Sequence, residues 1–97
     1  MPDYVRVATF EADDAAIDAM LKEISSAEGP PPEIPSKSIM IGTDRANGKV
    51  RVVVRFGSEE DLEKGSAALD AMSPTDIAGN IRRISVEKYQ IELERQA

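Results

Sequence analysis

The stretch Lys49–Phe56, KVRVVVRF, constrains this chain more than any other. Val50, Val52, Val54 and Phe56 form one apolar row at a period of two, and Arg51, Val53 and Arg55 form the other. A segment of this kind buries one face fully and the other in part, which places it centrally in a sheet. Asn47-Gly48 precedes it as a turn signal, and Ser58-Glu59-Glu60-Asp61 follows as a helix start. The chain on either side is therefore expected to fold onto the apolar row.

Upstream, Tyr4–Phe10 is rich in β-branched and aromatic residues and reads as a first strand, apolar on both rows except at Arg6. Asp13-Asp14 can open a helix, and Ile17, Met20, Leu21 and Ile24 repeat at i, i+3, i+4 and i+7. The proline-rich run Gly29–Pro35 ends that helix and reads as a stiff connector, a proline-motif docking site being the alternative. Ser38–Thr43 is a second strand, and Asp44–Gly48 a hairpin turn with positive φ at Asn47-Gly48.

A second helix carries Leu62, Gly65 or Ser66, Leu69 and Met72, and stops at Ser73-Pro74 before a loop over Thr75–Asn80. Gly65 costs about 1 kcal/mol relative to alanine in a helix, and close approach to a neighbouring backbone is one reason to keep it. The last strand, Arg82–Leu93, switches the parity of its apolar residues after Val86. A β-bulge at Glu87–Lys88 would resolve this and send Tyr89, Ile91 and Leu93 toward a partner.

The order β-α-β-β-α-β predicts an α+β fold: a ferredoxin-like sandwich with a four-stranded antiparallel sheet and two helices on one face. Residues 1–97 are read as a single domain. The helix-free face would carry Met40, Val53 and one row of the first strand, too apolar a patch to leave in water. A second copy of the sheet is the expected cover, giving a homodimeric α+β barrel.

Composition narrows the chemistry. The 97 residues include no cysteine and no histidine, which removes disulfides, thiolate metal sites and the usual general base near neutral pH. A net charge of −6 argues against nucleic-acid binding, where affinity comes from neutralising phosphates. An RNA-binding domain of the same topology would need stacking aromatics on the third strand, where Val53 stands between two arginines. No apolar run reaches the roughly 18 residues a membrane helix requires, and the N-terminus lacks a signal-peptide plan. A cytoplasmic protein is expected.

Four segments carry a family resemblance: VRVATFEADD, TDRANGKV, VVVRFGSEEDLEKGSAAL and RRISVEKYQIELE. They resemble small bacterial proteins related to antibiotic biosynthesis monooxygenases, within the dimeric α+β barrel superfamily. The resemblance covers nearly the whole chain and consists of fold signals. It implies a barrel that either binds a small ligand or catalyses cofactor-independent oxygenation of an aromatic quinol or polyketide. The haem-degrading branch relies on a histidine, a tryptophan and an asparagine, and this chain has neither His nor Trp. Haem degradation is therefore not expected. Where relatives commonly read Trp-x-Ser-Glu-Glu, this chain has Phe56-Gly57-Ser58-Glu59-Glu60.

Arg6, Arg51 and Arg55 are expected on the helix-free face, where they could hold a carboxylate, phenolate or enolate with Tyr4 or Tyr89 orienting it. The plainer and preferred reading pairs these arginines with Glu87, Glu92 or Glu94. Asp13-Asp14 and Glu59-Glu60-Asp61 sit at helix starts, where they complement the dipole, so neither a metal nor a cofactor is expected. The function expected is that of a homodimeric ligand-binding or accessory domain, with an oxygenase as the alternative. A regulatory amino-acid-binding dimer fits the same features.

Overall fold

The computed structural model describes residues 2–26, 34–71 and 81–95. Along them run β1 (Tyr4–Ala12), α1 (Asp14–Ser26), β2 (Ser36–Asp44), a 3-10 turn (Arg45–Asn47), β3 (Lys49–Phe56), α2 (Glu59–Asp70) and β4 (Ile81–Gln90). All neighbouring strands pair antiparallel in the order β2-β3-β1-β4, the arrangement expected of a ferredoxin-like sandwich. The connector at residues 29–33, Met72, the Ser73-Pro74 stop and the 75–80 loop lie outside the described residues. No helix among the described residues is long and apolar enough to cross a membrane.

The apolar row of β3 packs under the helices as its period predicts. Val50 joins Ala8, Phe10, Ile17, Met20 and Ile81 in a core beneath α1. Val54 and Phe56 join Ile34 and Leu62 in a second core beneath α2, and Val52 packs against both. Both helices start at side-chain caps. The Asp13 carboxylate accepts from the Ala16 N–H at 2.8 Å, and the Ser58 hydroxyl accepts from the Asp61 N–H at 3.1 Å.

Gly65 faces a ring rather than a backbone. A Cβ there would sit 2.7 Å from Cζ of Phe56 and closer still to Cε1. The hairpin also departs from the two-residue turn implied by Asn47-Gly48. Only Gly48 has a positive φ, at 65°, and the Asn47 side-chain amide instead donates to Asp44 at 2.8 Å. Spending three residues on a 3-10 turn leaves one left-handed position for glycine to fill.

The bulge in β4 lies three residues before Glu87–Lys88. Thr9 pairs with Ser85 and Phe10 with Arg83, so Ile84 is the extra residue. The core explains the placement. Ile81 and Val86 both pack beneath the helices but stand five apart, an odd spacing that a strict period of two cannot put on one face. With β4 ending at Gln90, Ile91 and Leu93 lie beyond the ladder and impose no second parity conflict.

Candidate functional site

Strand register alone distributes the candidate residues between the two faces. Tyr4, Arg6, Ala8, Phe10 and Ala12 share the helix-side row of β1, since they pair with Phe56, Val54, Val52, Val50 and Ile81. Arg6 is therefore not on the open face as expected. It is 3% exposed beneath α2, donating from Nε to the Ser66 hydroxyl at 3.0 Å and from Nη2 to Asp70 at 2.6 Å. Tyr4 lies against the core beneath α2. A polar Ser66 inside the α2 stripe, four residues from both Leu62 and Asp70, was the sequence signal for a buried polar partner.

Arg51, Arg55 and Tyr89 do share the open face. Ser38, Arg55, Val5 and Tyr89 form one row across the sheet; Met40, Val53, Val7 and Glu87 form the next; Gly42, Arg51, Thr9 and Ser85 form the third. The centre is thus apolar, with Met40 66% exposed.

Arg55 is committed to ion pairs. It donates from Nε to Asp3 at 2.6 Å and from both terminal nitrogens to Glu94, at 2.5 and 2.8 Å. Lys37 also reaches Asp3, at 2.9 Å, and the Ile91 N–H donates to the Asp3 carbonyl oxygen at 2.9 Å. Together these bonds fasten the C-terminal segment over the end of β1. The preferred reading of Arg55, a structural partner for Glu94, describes this geometry. Asp3 and Lys37 completed the cluster without having been singled out, since only the register of β1 and β2 against β3 brings them there.

Acid is expected to release this fastening. Hydrogen bonds from Arg55 hold the Glu94 carboxyl below its ordinary 4.5, and those from Lys37 and then Arg55 hold Asp3 below its ordinary 3.8. Carboxyls with lowered values stabilise the fold above their ordinary range and lose that contribution as pH falls through the lowered values. The Ile91 amide resonance of wild type and of Glu94→Gln should therefore differ at pH 7 and converge as pH falls below about 4.5. A difference that persists undiminished into strong acid would refute the assignment.

Tyr89 donates its hydroxyl to Glu87 at 2.5 Å, and this bond raises the phenol above its ordinary value, keeping it protonated. Arg51 is differently placed. Its Nε donates to the Thr9 hydroxyl at 3.3 Å, and among the described residues no carboxylate stands within ion-pair distance of it. Beside it lies an open depression of about 430 Å³, lined by Thr9, Gly42, Asp44, Lys49 and Arg51 among others. Gly42 contributes to that space, for a Cβ built on it would meet nothing within 4 Å. Thr9 and Gly42 were not recognisable as site residues in the sequence. Only strand pairing sets them on either side of Arg51.

No family model matches the chain, and no curated protein does so significantly. Solved structures do. One, provisionally described as an antibiotic biosynthesis monooxygenase from Bacillus cereus, is 17% identical, covers 100% of both chains and superposes with a TM-score of 0.62. Another with the same provisional description, from Chloroflexus aurantiacus J-10-fl, is 11% identical, covers 97% of both chains and gives a TM-score of 0.60. The chain thus has the βαββαβ fold of antibiotic biosynthesis monooxygenase-type structures, the fold that the sequence resemblance implied.

Proposed function

We propose that the protein is a homodimeric α+β barrel, formed when two copies close their helix-free sheet faces on one another, and that it serves as a small-ligand-binding or accessory domain of the cytoplasm. The observation that carries this reading is the apolar centre of the open face, the row Met40, Val53 and Val7. Area tests whether such a face suffices. Four strands about 4.8 Å apart and about eight residues long make a face of roughly 500 Å², or about 1,000 Å² for a pair. That is the lower bound for a specific interface, so contributions from Tyr89 and Leu93, which are 50% and 84% exposed, matter to its strength.

Light scattering at micromolar concentration should give twice the chain mass of 10.5 kDa. Met40→Asp should give the single-chain mass and a still cooperative melt whose midpoint no longer depends on protein concentration, because Met40 is exposed in one copy and a buried carboxylate opposes association. Wild-type protein at the single-chain mass would overturn the reading.

A second reading, a cofactor-independent monooxygenase acting on an aromatic quinol or polyketide-like substrate, is favoured by the likeness to structures described as antibiotic biosynthesis monooxygenases. Oxygen uptake on addition of quinols would support it, and ligand binding without uptake would favour the first.

A further inference from the structure

We infer that the depression between Gly42 and Arg51 is a binding site for a small organic anion, a carboxylate or phenolate, which supplies the counter-charge that Arg51 lacks among the described residues. The inference rests on the dimer reading, because closure of the open face is what removes Arg51 from water. A guanidinium left unpaired inside a protein is strongly disfavoured, so closure needs an acceptor for it.

Among the described residues of the sheet, the carboxylates of the same face are already engaged. Asp3 and Glu94 hold Arg55, Glu87 accepts from Tyr89, and Glu11 pairs with Arg82 and, at 3.8 Å, with Lys49. Asp44 lines the depression but accepts from the Asn47 amide and is not within ion-pair distance of Arg51. Arg51 and Lys49 outweigh the one Asp44 carboxylate in the lining, which leaves it net positive. Gly42 provides room, and the Thr9 hydroxyl, already an acceptor for Arg51 Nε, keeps its own proton to donate. An anion with a flat body fits these features, its charged end on Arg51 and its body over the glycine.

The test titrates the purified protein with benzoate and with salicylate by calorimetry, with the mass of each sample determined by sedimentation. Saturable binding by the dimer is expected. Arg51→Gln should weaken it by about 10- to 150-fold, the loss for a charge-assisted hydrogen bond. Gly42→Val should weaken it without altering any charge, and valine suits the strand because Gly42 has no positive φ. A wild-type dimer that binds neither probe, or binding that survives both substitutions, overturns the inference and leaves the dimer intact. Glu87→Gln separates one further case. If that change dissociates the dimer while neither probe binds wild type, the partner subunit supplies the counter-charge, and the inference fails. A single-chain mass for wild type would instead remove the dimer reading on which the inference depends.

Discussion

Phe56→Ala is expected to destabilise the fold by about 3–5 kcal/mol, the range for removing a fully enclosed phenyl ring. Phe56 is 0% exposed and anchors the core beneath α2 with Val54, Leu62 and Ile34. A domain of this size has about 5–15 kcal/mol of stability in all, so the melting temperature should fall by roughly 12 °C or more. Gly65 sharpens the test because its missing Cβ is what admits the ring. In a free helix Gly65→Ala would gain about 1 kcal/mol of propensity, whereas overpacking costs about 1–3 kcal/mol. The ring is the inner wall of the core, so the overlap should win and the variant should lose stability. Combining Gly65→Ala with Phe56→Leu should recover part of that loss. Urea melts of wild type, Gly65→Ala, Phe56→Leu and the double variant measure the coupling. Strictly additive effects would show that the two residues do not meet.

Asp70→Ala should cost more than Arg6→Met, although Asp70 is the more exposed partner. The Asp70 side chain is 51% exposed and Arg6 only 3%. Removing the aspartate leaves a buried guanidinium with the Ser66 hydroxyl but without its counter-charge. Breaking a buried pair in this way costs about 3–5 kcal/mol, with the lower end apt here because water screens half of Asp70. Arg6→Met takes the charge away and keeps an unbranched chain in the space. The released Asp70 returns to water, and the cost is one unsatisfied Ser66 hydroxyl, about 1–3 kcal/mol. Denaturant midpoints for the two variants, with Arg6→Met/Ser66→Ala as a third, check the order. Equal losses from Asp70→Ala and Arg6→Met would mean that the ion pair, and not burial of the arginine, dominates.

The alternation in KVRVVVRF and the 3.6-residue spacing of Ile17, Met20, Leu21 and Ile24 each determined one element by itself. Those two periods separate strand from helix before any contact is made, and the order of elements then restricts the sheet to a few topologies. The caps at Asp13 and Ser58 were legible for the same reason, since each bond spans only three residues. Residues whose role depends on a partner far along the chain were not. Arg6 is expected beside Arg51 and Arg55 on the open face, yet the parity it shares with Ala8 and Phe10 puts it under α2, where residues 60 and 64 positions away satisfy it. The bulge at Ile84 follows from the need of Ile81 and Val86 for the same core, and neither residue signals that need locally. Arg51 and Arg55, alike in the sequence, were separated only by the folded chain. Asp3 and Glu94 converge on one arginine, while the other faces a glycine and a threonine on its neighbouring strands. Local periodicity sets where chain can be buried, but the pairing of charges is settled by which strands lie side by side.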